Sequence, residues 1–230
     1  MTRAAWDRVM DAHSGIALEW GPTNVDRFLL DPKRIAFFMS RYKFAAKMLH
    51  GCRDIIDVGC GDGMGTLALL SDTGAERVLG IDFEEKCIEH AVGKLLTALR
   101  DARPGDVEKI SFACRDWLAG NVYATAICDG ILSLDVIEHI ESERAPAFLA
   151  RIAGSLRDGG VAVIGTPNIA AAEFGSEHSK IGHINLYDAA RLRDELRVGF
   201  RRVFMFSMND EVVHTGFDKM AHYLIAVCVK

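Results

Sequence analysis

From residue 54 onward the chain alternates between short, uninterrupted apolar runs and longer stretches with helical spacing. The apolar runs cover residues 54–58, 77–81, 110–114, 126–134 and 161–165, and the helical patterns between them cover residues 64–71, 84–99 and 142–156. Strands that are apolar on both faces are buried on both faces, and strands separated by helices pair in parallel. Crossovers in such sheets are right-handed, so the pattern predicts a doubly wound α/β layer structure. The end of the chain breaks this rhythm. Residues 188–197 read as a helix, and the runs RRVFMFSMN and AHYLIAVCVK follow with no helical pattern between them. That predicts an antiparallel pair at the sheet edge.

Ahead of the core, Asp31-Pro32 opens an amphipathic helix, KRIAFFMSRYKFAAKMLH, with Ile35, Phe38, Met39, Tyr42 and Ala46 on one face. Residues 1–32, with Trp6, Trp20, Gly21 and Pro22, read as an appended helix and loop, leaving residues 33–230 as the main domain. Three roles suit the appendage: a cover over a pocket, a homodimer contact, or a segment that its tryptophans anchor to the core.

Composition fits one large domain. Of 230 residues, 50% are hydrophobic, enough for a sizeable core, and 26% are charged, which argues against disorder. The formal net charge of -5 argues against a nucleic-acid partner held mainly by its phosphates, since such binders carry a basic face. The start, MTRAAWDRVMDAHSG, has no apolar signal-peptide core, and no apolar run is long enough to cross a bilayer. The expectation is a soluble cytoplasmic protein. Cys52, Cys60, Cys87, Cys114, Cys128 and Cys228 are scattered without CxxC spacing and read as buried reduced thiols.

The chemistry concentrates in IIDVGCGDGMGTLALL, where Gly59, Gly61, Gly63 and Gly65 alternate between a strand and a helix start. Ligands of open α/β sheets bind at the carboxyl ends of the strands. Glycine at such a turn lets backbone N–H groups approach a ligand. The spacing departs from the G-x-G-x-x-G of dinucleotide sites, and Asp62 adds negative charge that disfavours a pyrophosphate. The next strand ends in Asp82, suited to accept hydrogen bonds from both hydroxyls of a ribose. Asp116 follows the third strand and can accept from an adenine amino group, while Phe83 and Trp117 can wall the base. A phosphate-free nucleoside is indicated.

Taken in order, DVGCGDG, GIDF, CRDW, DGILSLDVIEHI and LRDGGVAVIGTPN resemble the class I S-adenosylmethionine (SAM)-dependent methyltransferases. The resemblance runs from about Lys33 to the C-terminus. It implies a Rossmann-like three-layer sandwich with a seven-stranded, mostly parallel sheet whose last strand inserts antiparallel. It also implies SAM as cofactor. Asp57, Gly59, Gly61 and Gly63 would cradle its methionine part, and Asp82 would hold the ribose. Asp116 with Trp117 would contact the adenine, and Cys60, Phe83 and Leu134 complete the cofactor-binding set.

A second group of residues follows the fourth strand. If LSLDVIEHI turns helical, Asp135, Glu138 and His139 share a face. A long stretch after the fifth strand, GTPNIAAAEFGSEHSKIGHINLYD, carries Glu173, His178 and His183 and reads as a functional loop. The pattern resembles ubiquinone-pathway and small-RNA 2′-O-methyltransferases, in which carboxylates and histidines bind a divalent metal. That resemblance implies metal ligands Asp135, Glu138, His139 and a distal histidine, His183 by preference with His178 as the alternative, although Asp135 stands where those families carry Glu. The alternatives are that Glu138 and His139 act without metal, His139 as general base, or that they merely line the pocket.

Hydroxyl acceptors need the most help with proton removal, so this segment favours O-methylation. The C-terminal pattern GTPN…SKIGHINLY…FSMNDEVVHTGF…MAHYL resembles bacterial methyltransferases of cell-surface carbohydrate gene clusters. It implies a sugar, nucleotide-sugar or polyol acceptor. Asn209, Asp210, Glu211 and His214 fall between the last two strands, either closing over the substrate or forming an exposed hairpin. The competing readings are an RNA 2′-O-methyltransferase and a non-catalytic SAM-binding protein.

Overall fold

In a computed structural model, which describes residues 1–13, 15, 17–119 and 126–230 without the side chains of His13, Asp26 and His178, the five apolar runs become parallel strands. These are β1 (Asp54–Val58), β2 (Arg77–Asp82), β3 (Ile110–Cys114), β4 (Cys128–Leu134) and β5 (Leu156–Pro167). The last segments form β6 (Arg202–Asn209), β7 (Val212–His214) and β8 (Tyr223–Val229). Together they make one sheet of order β3-β2-β1-β4-β5-β8-β6-β7. The C-terminal strand β8 inserts antiparallel between β5 and β6, pairing Ile164 with Ala226 on one side and Phe206 with Ile225 on the other.

The strand count is eight among the described residues, where seven were expected. The extra one is β7. Asn209 pairs with Val212 across a two-residue turn, with Asp210 in the left-handed region (φ 49°). The polar stretch between the last two strands thus begins as a tight hairpin, whose loop length admits Asn- and Asp-type turns.

Helices cover both faces. Preceding the sheet are α1 (Arg3–His13), α2 (Pro22–Leu30) and α3 (Lys33–Met48); α4 (Met64–Asp72) follows β1. The helix expected over residues 84–99 is broken into α5 (Glu85–His90), a π-turn (Ala91–Leu95) holding Gly93, and α6 (Leu96–Ala102). Then come α7 (Ala145–Ser155), α8 (Glu177–Gly182) and α9 (Ala189–Leu196). Side chains alternate faithfully along the strands. Ile131 and Ile164 pack with Phe148, Ile152 and Leu192 on one face. Leu132 and Val163 pack with Tyr42, Leu49 and Leu69 on the other. Each face holds its own core, which is why these strands are apolar on both faces apart from a few residues such as Asp57 and Ser133.

All six cysteines are free; Cys60, Cys87, Cys128 and Cys228 are buried, Cys52 is half-buried, and Cys114, unlike the expectation, is exposed at the end of β3. No helix among the described residues is long and apolar enough to cross a membrane. The order of strands reverses between β1 and β4, so the turn after β1 lies at the switch point where a crevice opens.

Candidate active site

That crevice is a cavity of about 720 Å³, within the ~300–1,000 Å³ usual for small-molecule sites. The carboxyl ends of β1, β2, β3 and β4 all reach it, and so do α2 and α3.

The glycine turn forms its floor. Gly59, Gly61 and Gly63 adopt φ of 79°, 55° and 82°, a region that residues with a Cβ enter at a cost. The turn is braced from the next strand. Asp82 accepts the Gly61 N–H on Oδ2 at 2.8 Å and the Glu84 N–H on Oδ1 at 2.9 Å. Each carboxylate oxygen has a second lone pair, so Asp82 can brace the turn and still face a ligand. Gly59, Cys60, Gly61, Asp82, Phe83, Asp116, Trp117 and Leu134 line the cavity. Trp117 is buried, whereas Phe83 is mostly exposed at the rim. Asp116 accepts the Leu118 N–H at 2.8 Å, which fixes its turn.

Two of the residues expected to cradle the cofactor do not line the cavity. Gly63 packs toward Phe112 and Leu95. Asp57 is fully buried below the turn, where Thr66 donates to it at 2.7 Å. Burial pushes its carboxyl up to about 7 despite that bond. Its place is that of a support under the turn. Asp62 likewise faces away from the cavity's ligand space and holds α2, accepting from Thr23 Oγ1 at 2.8 Å and Asn24 Nδ2 at 2.5 Å.

The segment after β4 is a 3₁₀ turn (Ile137–His139) rather than an α-helix. Asp135, just ahead of it, takes φ 58° and is not part of the cluster that Glu138 forms. Asp135 instead accepts two hydrogen bonds from Arg41, at 2.9 and 3.1 Å, while the Arg41 guanidinium lies 3.7 Å from the Tyr223 ring centre. Burial works against the charge on Asp135, but Arg41, Arg27, the Tyr223 hydroxyl and His183 together outweigh it and keep the carboxyl below its ordinary range.

Glu138, His139 and His183 do come together: one ligand-capable atom from each lies within 4.8 Å of the others. The two imidazoles meet edge to face with centres 5.1 Å apart. Glu138 is wholly buried. Its Oε2 accepts from Thr166 at 3.0 Å and its Oε1 has no hydrogen-bond partner. Burial first, and then the neighbouring Asp135, raise its carboxyl above the usual glutamate range. Burial and His139 push the His183 imidazole below its ordinary value. The long stretch after β5 is structured, with a 3₁₀ turn (Ile169–Phe174) and α8, and it delivers His183 as the residue that ends α8. His178, the alternative distal histidine, has its side chain outside the described residues. Asn209, Asp210, Glu211 and His214 do not line the cavity.

Sequence reasoning missed Arg27, Arg41, Thr166 and Tyr223. One signal was available. Arg41 stands three residues after Phe38 and four before Ala45, both buried, so helical spacing alone places it on the apolar face.

The methyltransferase domain family matches residues 24–201 of this chain. A relative from Mycolicibacterium smegmatis, described as a probable S-adenosylmethionine-dependent methyltransferase, is 29% identical over 124 residues. Those residues are 53% of this chain and 42% of the relative, so the match spans less than half of that protein. Among solved structures, a SAM-dependent methyltransferase from Archaeoglobus fulgidus superposes with a TM-score of 0.64 at 18% identity, over 90% of this chain and 99% of that one. The N-methyltransferase NodS from Bradyrhizobium japonicum, in complex with S-adenosyl-L-homocysteine, gives 0.61 at 17% identity over 89% and 92%. Identities this low show a shared fold.

Proposed function

The chain belongs to the methyltransferase domain family, and on that premise we propose that it transfers a methyl group from SAM to a hydroxyl oxygen of a small acceptor: a sugar, a nucleotide sugar or a polyol. The observation that carries the oxygen assignment is the Glu138–His139–His183 cluster beside the β4 end of the cavity. A sulfonium methyl carbon is already electrophilic, so the chain has to align the acceptor and remove its proton.

His139 is set up for that removal. Its Nδ1 lies 2.8 Å from the Gly182 carbonyl, which can only accept, so Nδ1 carries the proton and Nε2 keeps its lone pair. In the transfer, the acceptor oxygen forms a bond to the methyl carbon as the carbon–sulfur bond breaks. The sulfur leaves as a neutral thioether, and the hydroxyl proton passes to His139 Nε2.

A divalent cation also suits this cluster. Glu138 offers a buried oxygen without a partner, and two imidazoles face it, a donor set that several such ions accept. In that alternative Glu138, His139 and His183 would hold the ion, His139 as a ligand in place of its role as base, while Asp135 is committed to Arg41. Bound there, a cation would lower the pKa of an acceptor hydroxyl.

The formal charge of -5 favours a small acceptor over RNA, and six free cysteines fit a reducing cytoplasm. The test is label transfer from methyl-labelled SAM to a panel of sugars, nucleotide sugars and polyols, with short RNAs alongside. Labelled methyl ethers of a panel member support the reading. Label confined to RNA, or to nitrogen, overturns it.

A further inference from the structure

The floor of the cavity is rich in negative charge. Asp57 sits under the glycine turn, Asp82 braces it, and Asp135 lies at the adjoining tip of β4. SAM ends in an amino acid, whose carboxylate must find a cation in this half of the site. Arg41 is committed to Asp135 by both hydrogen bonds of one guanidinium nitrogen. Arg115 follows β3 at the nucleoside end, and Arg144 stands beyond the 3₁₀ turn. Arg27 lines the cavity from α2. Unlike Arg41 it forms no ion pair with a described carboxylate, although its charge reaches Asp135 and helps keep that carboxyl ionised.

Arg27 is also held in place. One guanidinium nitrogen donates to Asn24 Oδ1 at 3.3 Å, and the group lies 4.9 Å from the Phe38 ring centre. Asn24 in turn is fixed to the glycine turn through Asp62, which accepts its side-chain and backbone N–H groups at 2.5 and 3.2 Å. The contact is close. A Cβ on Gly21 would collide with the Asp62 side chain, so the residue before α2 has to be glycine. Asp62 therefore stands at the N-terminus of α2, where a carboxylate is favoured. One turn further along the same helix, Arg27 faces the cavity.

We propose that Arg27 receives the α-carboxylate of the cofactor's methionine moiety, so that α2, latched by Asp62, completes the SAM site. This rests on the SAM reading above. It makes the segment ahead of α3 a working wall of the cofactor site, and it gives Asp62 in the glycine motif the task of holding that wall. A guanidinium pairs with a carboxylate through charge-assisted hydrogen bonds.

The experiment is calorimetric titration of the full chain with S-adenosylhomocysteine and with its decarboxylated analogue, which keeps the amine and loses only the carboxylate. Arg27→Gln should weaken S-adenosylhomocysteine about ten- to hundredfold and leave the analogue's affinity unchanged. Arg27→Lys should recover part of the loss, since an ammonium restores charge without the fork. Equal losses for both ligands would mean a merely structural role and overturn the proposal, as would undiminished binding of S-adenosylhomocysteine. If the wild-type chain binds neither ligand, the cofactor reading fails first and this proposal falls with it.

Discussion

The Nδ1–H of His139 donates to the backbone carbonyl of Gly182 at 2.8 Å, across 43 residues of sequence. The bond joins the turn after β4 to the end of α8 and sets the tautomer of the ring. Gly182 is also the last residue of α8, so the same helix end that orients His139 delivers His183 beside it. A second tie runs in parallel, from the Asn185 N–H to the Glu138 carbonyl at 3.0 Å.

His139→Asn removes the basic nitrogen while keeping a group that can donate to Gly182. Methyl transfer should fall by roughly 10²–10⁴, the range for loss of a general base. Affinity for S-adenosylhomocysteine should stay, because the residues proposed to contact the nucleoside lie at the ends of β2 and β3. Label-transfer rates and a ligand titration check the two halves, and a parallel loss of both would count against the assigned role.

Thr166→Val tests the cation-binding capacity without touching a ligand atom. Thr166 donates to Glu138 Oε2 and thereby orients the carboxylate. Such outer partners carry about 10–100-fold in metal affinity. Manganese titration of the wild type and the variant should show a drop of that order. Equal affinities would exclude Glu138 as an oriented ligand.

Asp57 predicts a pH dependence of stability. Its carboxyl titrates near 7 when folded, against an ordinary 3.8, because burial opposes its charge. Below pH ~4 both states hold the proton and nothing is lost. As pH rises toward 7 the unfolded chain releases the proton and the folded one keeps it, so stability falls; above 7 the loss is complete. Asp57→Asn abolishes that titration, and the variant should gain on the wild type by a few kcal/mol, on the order of 4, across the window. Urea unfolding of the ligand-free proteins between about pH 3.5 and 8 measures it, and parallel profiles would refute it.

Asp62→Ala should loosen α2. Three hydrogen bonds from Thr23 and Asn24 end on this carboxylate. Leaving their donors unmatched costs about 1–3 kcal/mol each where they stay buried. Amide exchange at Asn24 and Val25 should accelerate while exchange in β1 and β4 is unchanged. No change at α2 would show that the latch holds nothing.

The fold was legible where local pattern and tertiary demand agree. The runs over residues 54–58 and 110–114 became β1 and β3 without change, because charged or glycine residues close both ends: Arg53 and Gly59 around β1, Lys109 and Arg115 around β3. The hairpin that makes β7 escaped because its few residues alternate too briefly for a period to emerge. The glycine turn with Asp82 was readable as a unit, since both lie at neighbouring strand tips. The roles of Asp62 and Asp135 were not. Each is fixed by a partner far along the chain, α2 for Asp62 and Arg41 for Asp135, and 94 residues separate Arg41 from Asp135. The expected α-helix after β4 is a 3₁₀ turn preceded by Asp135 in a left-handed conformation, and the Asp135 carboxylate pairs with Arg41 in place of a shared metal site.

The central claim is that the crevice at the switch point takes an adenosine sulfonium and its thioether product, held by Asp82 against the glycine turn. Calorimetry with S-adenosylhomocysteine, set beside nicotinamide and flavin coenzymes, measures this directly. The account predicts saturable binding of S-adenosylhomocysteine that Asp82→Ala abolishes, and no heat from the pyrophosphate-linked coenzymes. Binding of one of those coenzymes, with none of S-adenosylhomocysteine, would contradict it.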